Sequence, residues 1–204
     1  MMTLHHSPTS PYVRKAMILL HEMGLTESVR QLNAGGLPTD PGKMSLAANP
    51  LSKVPALERD EGCTLYDSRV ICRYLASLSP KGAGFYPDGP SHWEALTLEA
   101  TADGMLDAAL LIRYEVTLRE AAQQHEGWMD GQWQKITRSL SVLESRWLAH
   151  LEGPMTIGTV SVACALGYLD FRFADRTWRE AHLQLAGWYA RFAARPSMQA
   201  TIPA

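Results

Sequence analysis

The sequence predicts a small α/β domain followed by an all-helical domain. Three observations carry this. Up to about Ser77, apolar runs and helical patterns alternate as strand, helix, strand, short helix, strand, strand, helix. A Pro- and Gly-rich stretch, Ser79 through Pro90, then breaks the pattern. Beyond it only helical periodicity recurs. The boundaries are 1–78 for the α/β domain, 79–90 for the linker and 91–204 for the helical domain.

The first strand is the alternating run Met2–His6. The segment Ser7-Pro8-Thr9-Ser10-Pro11-Tyr12-Val13-Arg14-Lys15 follows and opens a helix, because Val13, Ala16, Met17 and Leu20 recur at helical spacing. Ser10 is the expected N-cap, since Pro11 fits the first helical position, where a missing N–H costs nothing. A helix mouth of this kind suits an anion: free N–H groups and the positive end of the dipole converge there. The plainer reading is a simple cap, with Arg14 and Lys15 solvated. Gly24 is the expected helix stop. Val29–Leu32 is a weakly marked strand, and Asn33 to Pro41 is loop.

Residues 49–76 begin Asn49-Pro50-Leu51-Ser52-Lys53-Val54-Pro55, turn at Arg59-Asp60-Glu61-Gly62, and suggest a hairpin. Pro55 stands at the start of an edge strand, where its missing N–H is tolerated. A cis Val54–Pro55 bond, which the sequence leaves open, is expected to free the Val54 backbone for an extended ligand. Asp67-Ser68 repeats the first theme, an acceptor and a hydroxyl opening a helix that carries Val70, Ile71, Tyr74 and Leu75. Ordinary capping is the plainer reading there too.

In the second domain, Ser91-His92-Trp93-Glu94 reads as a capping box launching a long helix with Leu98, Ala102, Met105, Leu106 and Ala109. A second helix carries Ile136, Leu140, Leu143 and Trp147 and stops at Gly153-Pro154. A third presents Val160, Ala163, Cys164, Gly167, Tyr168 and Phe171 on one face, and a fourth runs from about Ala181.

The 204 residues suffice for one or two cores, and 46% hydrophobic with 20% charged residues is ordinary for a globular chain. A net charge of −2 gives no electrostatic case for nucleic acid or an anionic membrane. No apolar run reaches the roughly 20 residues of a membrane span. No signal peptide is read at Met1–His6, and Cys63, Cys72 and Cys164 are scattered, so reduced thiols and a cytoplasmic location are expected. His5 and His6 face opposite sides of a strand and the other histidines are isolated, so no metal is predicted.

Three motifs, Ser-Pro-x-Ser-Pro-Tyr-x-Arg-Lys from Ser7, Asn-Pro-x-x-Lys-Val-Pro-x-Leu from Asn49 and Leu-x-Asp-Ser-x-x-Ile from Leu65, resemble the glutathione transferase family. The likeness extends to Thr156–Ala163, which is similar to the family's C-domain capping segment, and to Ala194-Arg195-Pro196-Ser197 with Thr201 and Pro203. Thr159 stands where that segment usually carries an acid, so the reciprocal carboxylate of a capping box is missing. The resemblance implies a thioredoxin-like N-terminal domain, an all-α C-terminal domain and a homodimer.

It also implies glutathione as cosubstrate and a hydrophobic electrophile as its partner. The γ-glutamyl carboxylate is expected at Ser68, with Asp67 facing the ammonium and Asp103 a second acceptor reaching across from a partner subunit. The alternative for Asp103, which lies near Asp107 and Arg113, is a solvated helix face. Val54 is expected to pair with the cysteinyl backbone and Lys53 to meet the glycine carboxylate. Tyr114, Tyr168 and Trp178 are candidate walls for the electrophile, with core packing as the plainer reading.

Ser10 is the implied catalytic residue, as a hydrogen-bond donor to the thiolate. A free thiol titrates near 8.5, and lowering it by about two units requires roughly 2.7 kcal/mol. A hydrogen bond to charged sulfur supplies about 1.5–3 kcal/mol, and the helix N-terminus about 0.3–2 more. Members using tyrosine place it near the end of the first strand, where this chain has His5-His6-Ser7. Thiol–disulfide exchange needs a cysteine where Ser10 stands. Conjugation is therefore the leading expectation. A ligand-binding or stress-associated protein without turnover, and a glutathione-dependent isomerase or dehalogenase, are the alternatives.

Overall fold

The computed structural model describes residues 1–44 and 46–203. They form two compact units: Met1–Pro87 together with the segment from Arg195 onward, and Asp88–Ala194.

In the first unit, β1 (Met2–His6) leads to α1 (Pro11–Met23), β2 (Val29–Asn33), β3 (Ala56–Glu58) and α2 (Ser68–Ser77). The sheet order is β2-β1-β3, with β2 parallel and β3 antiparallel to β1. This small mixed sheet is the thioredoxin-like domain the sequence predicts. The fourth expected strand shrinks to one bridge, Leu57 to Leu65, and the expected short helix before β3 is turn among the described residues. Leu4, Leu19, Leu57, Ile71 and Leu75 are buried at its core. Gly24 ends α1 in the left-handed region (φ 71°), and the Leu25 N–H returns to the Leu20 carbonyl.

Residues 80–85, expected as linker, form a short 3-10 turn with Phe85 buried. A Cβ on Gly82 would stand 1.8 Å from the Ala76 carbonyl oxygen, so only glycine permits this approach to α2.

The second unit contains α3 (Pro90–Leu118), α4 (Glu126–Arg146), α5 (Leu148–Leu151), α6 (Ile157–Arg172), α7 (Trp178–Ala181) and α8 (Leu183–Ala193). The expected box at Ser91 is not used. Pro90 takes the first helical position behind Gly89, and Glu94 instead lies 3.1 Å from His150. Helix α6 is buried on every side from Ile157 to Leu169, not on one face, and is the central helix of the unit. Its capping box is complete despite Thr159: the Thr156 N–H donates to Thr159 Oγ1 at 2.9 Å, so a hydroxyl replaces the missing carboxylate. Glu144 of α4 caps α8, accepting the N–H groups of Gln184 and Leu185 at 2.7 and 3.2 Å.

A last turn, α9 (Pro196–Gln199), packs on α1 in the first unit. The continuous boundaries read from the sequence assign these residues to the helical domain. Ion pairs and hydrogen bonds to Arg14 and Glu22 draw them to α1 instead. Among the described residues no helix is long and apolar enough to cross a membrane.

Candidate functional site

Sheet register brings three segments to one end of the first unit. Strand β1 ends at His6, and His5 pairs with Ala56 at the start of β3. Leu57 pairs in turn with Leu65. The turn Ser7–Ser10 after β1, Val54-Pro55 before β3, and Asp67-Ser68 after Leu65 therefore share that end. Gly35, just beyond β2, closes on the Ser7 side chain there.

Ser10 caps α1, with its Oγ accepting the Val13 N–H at 3.3 Å and its carbonyl accepting the Arg14 N–H at 3.0 Å. No other hydrogen bond to Ser10 Oγ is present among the described residues, so the hydroxyl proton is available for donation outward. The first turn of α1 has no acidic residue to offset an incoming anion.

The Val54–Pro55 peptide is cis. Val54 is half-buried on a small cluster of Ala34, Met44, Ala48 and Ala56, and its backbone has no hydrogen bond among the described residues. Asn49, to which the sequence alone assigns no role, shapes this segment. It is buried, donates from Nδ2 to the Lys53 carbonyl at 2.8 Å, and accepts the Leu51 N–H at 3.0 Å. The Asn-Pro pair was the available signal, since Asn side chains close turns onto nearby backbone. The Lys53 side chain itself is exposed.

Asp67 caps α2, its Oδ1 accepting the Arg69 N–H at 2.9 Å, and the Tyr66–Asp67 peptide is also cis. Ser68, at the first helical position, is buried. The cap claims Arg69, and the Ser68 N–H is one of the helix-start donors without an intrahelical acceptor.

Asp103 belongs to α3 of the second unit. It is 2% exposed, which rules out the solvated helix face; Asp107 is exposed. Arg14 and Lys15 also depart from the plainer expectation: they are 7% and 1% exposed, not solvated. Arg14 donates to the Met198 carbonyl at 3.1 Å and to Thr201 Oγ1 at 3.4 Å. Trp178 is core, bonded through Nε1 to Asp170 at 2.9 Å; Tyr168 is buried and Tyr114 half-buried. Burial holds the His6 imidazole, at the site end of β1, below its usual range. Among the described residues no group of three or more His, Cys, Asp or Glu side chains is arranged to hold a metal ion.

Comparison with known proteins gives the family. Residues 9–78 match the glutathione S-transferase N-terminal domain and residues 126–191 its C-terminal domain. The chain is 37% identical over 180 residues to the GST-like protein YibF of Escherichia coli (strain K12), covering 87% of this chain and 86% of that one. It is 48% identical, over 100% of both chains, to a glutathione transferase family member from Pseudomonas fluorescens Pf-5. That crystal structure, with bound glutathione, superposes with a TM-score of 0.97, and a second, with bound S-(propanoic acid)-glutathione, with 0.93. The chain belongs to the glutathione S-transferase family.

Proposed function

We propose that this protein is a glutathione transferase that joins the thiolate of glutathione to hydrophobic electrophiles. One observation carries the proposal: Ser10 holds a hydroxyl with an uncommitted proton at the mouth of α1, at the sheet end shared by Val54 and Asp67-Ser68. The bound glutathione of the Pseudomonas fluorescens relative supports this choice of ligand, and its S-(propanoic acid)-glutathione complex supports a substituted sulfur.

In this reading the cysteinyl backbone of glutathione adds a short strand against Val54, whose own backbone is uncommitted. Its γ-glutamyl carboxylate accepts from Ser68, at the positive end of α2, and the ammonium faces Asp67. Lys53 is the partner for the glycine carboxylate. Ser10 then donates to the sulfur, favouring thiolate over thiol. The sulfur attacks an electrophilic carbon, the leaving group departs with its electron pair, and the thiol proton goes to solvent. We further propose a cytoplasmic homodimer with a detoxifying role, a glutathione domain at 1–78, and Asp103 of the partner subunit as a second anionic group acting on the ammonium.

Two measurements made together test the reading. Calorimetric titration is expected to give saturable glutathione binding, and chlorodinitrobenzene is expected to be conjugated. Binding without conjugation of a panel of electrophiles would overturn the transferase reading and leave the ligand-binding and the isomerase or dehalogenase alternatives.

A further inference from the structure

Three arginines of the second unit pair with acids: Arg119 with Glu115, Arg179 with Asp170, Arg191 with Glu152. Others rely on neutral partners, Arg138 on Gln134 and Arg176 on the Trp133 ring. Arg113 on α3 and Arg172 at the end of α6 have no carboxylate within ion-pair distance among the described residues. The nearest acid in sequence, Asp170, is already committed to Trp178 and Arg179. Arg172 goes further, because its Nε is buried and has no hydrogen-bond partner among the described residues. A buried donor on a permanent cation is costly, and an anion is its natural complement.

These two cations do not stand alone. Tyr168 lies one turn before Arg172 on α6, and it senses the charges of Arg172 and Arg113 and the phenol of Tyr114. Burial raises both phenols above their usual range, so both remain O–H donors at neutral pH. The Arg172 guanidinium sits 4.0 Å from the centre of the Phe171 ring, giving the group an aromatic floor. The cluster therefore combines two forked cations, two phenolic donors and apolar ring surface.

We propose that Arg113, Tyr114, Tyr168 and Arg172 form a binding site for the carboxylate of an acidic, ring-bearing ligand. The guanidinium fork matches a planar carboxylate, and the rings accept the ligand's apolar body. The proposal rests on the transferase reading only in naming that ligand as the electrophile; the site itself stands on the orphaned Arg172 donor and the unpaired Arg113.

The probes are 4-chloro-3-nitrobenzoate and its neutral amide, alike in shape and leaving group. Equilibrium binding to the full chain is expected to favour the acid. Arg172→Gln and Arg113→Gln are expected to weaken acid binding about tenfold or more while moving amide binding less than about twofold. Arg172→Lys, which keeps charge but loses the fork, should fall between. With glutathione present, the sulfur–carbon bond forms, chloride leaves with its electron pair, and the thiol proton passes to solvent. Preferential turnover of the acid assigns the site to the electrophile. Arginine-dependent acid binding without turnover keeps the site and overturns the naming of its ligand as the electrophile, while the chlorodinitrobenzene assay decides the transferase reading separately. Equal binding of acid and amide by the parent, or equal losses for both in the variants, overturns the proposal.

Discussion

Replacing Ser10 with alanine removes two interactions of different kinds, and they report on different observables. The first is the cap. The Val13 N–H loses its acceptor, and capping serines contribute about 0.5–2 kcal/mol. The observed bond is long, 3.3 Å, which favours the lower half of that range. For a chain of this size a loss near 1 kcal/mol lowers Tm by about 2–4 °C. The second is the hydrogen bond to sulfur proposed above. Losing about 1.5–3 kcal/mol of preference for thiolate raises the thiol pKa by about one to two units.

These magnitudes define the assay. If the parent holds the bound thiol about two units below its free value, the ionised fraction near pH 6.5 falls about five- to fifty-fold in Ser10→Ala. The rate falls somewhat less, because a more basic thiolate is intrinsically more nucleophilic, with a Brønsted slope of about 0.4–0.5. Raising the pH should restore most of the activity, since alkali ionises the sulfur without help. Glutathione affinity should change little, as Val54, Asp67 and Ser68 are untouched. Ser10→Thr keeps both the cap and the donor and should retain the parent profile. A Ser10→Ala pH–rate profile that overlays the parent's refutes the donor role, whatever happens to Tm.

Other expectations concern the frame that carries the site. Gly158→Ala places a Cβ 2.7 Å from both the Ala95 carbonyl oxygen and Leu98 Cβ, so α6 must move from α3; denaturant unfolding should show a loss of about 1–3 kcal/mol. Thr159→Val keeps shape but deprives the Thr156 N–H of its acceptor, and should lower stability by about 0.5–2 kcal/mol. Glu144 is partly desolvated, which alone raises its pKa, yet the Gln184 and Leu185 N–H groups and His182 outweigh this and hold it low. Its stabilising contribution is full above the unfolded carboxylate pKa and lost as pH falls through the lower folded value. Thermal melts across acid pH should therefore show a shallower decline for Glu144→Gln than for the parent.

Signals confined to a few residues were legible in the sequence. Ser10-Pro11, Asp67-Ser68 and Gly24 each fix one helix end through atoms within four residues, and the structure uses all three. What failed depended on distant partners. The solvated reading of Arg14 and Lys15 missed their burial, because the Arg14 acceptors are supplied from Met198 and Thr201. The box at Ser91 was locally sound but lost to Pro90, one residue earlier. Thr159 completes its box without a carboxylate, because a hydroxyl serves as acceptor when the backbone brings it close enough. The strand expected before Asp67 has too little register to pair beyond Leu65. Asp103 is the extreme case, for helical spacing alone does not tell a buried acid from a solvated one.

Helix α1 shows why the chain's end belongs with the domain at its start. Its charges sit against the dipole: Arg14 lies in the first turns and Glu22 near the last, each opposed by about 0.3–1 kcal/mol. Both are held by one segment. The Met198 carbonyl and Thr201 hydroxyl receive the Arg14 guanidinium, while Arg195 pairs with Glu22 at 3.2 Å and Ser197 Oγ donates to it at 2.6 Å. Burial alone raises the Glu22 carboxyl, yet these donors hold it below the usual carboxylate range. A hydrogen bond to a charged group contributes about 1.5–3 kcal/mol, so even one sound contact at each end outweighs the dipole. The segment from Arg195 runs antiparallel along α1, with Arg195 and Ser197 at the Glu22 end and Met198 and Thr201 at the Arg14 end. The unfavourable charges are thus not flaws in the helix. They are attachment points for the segment that runs from Arg195 to Thr201.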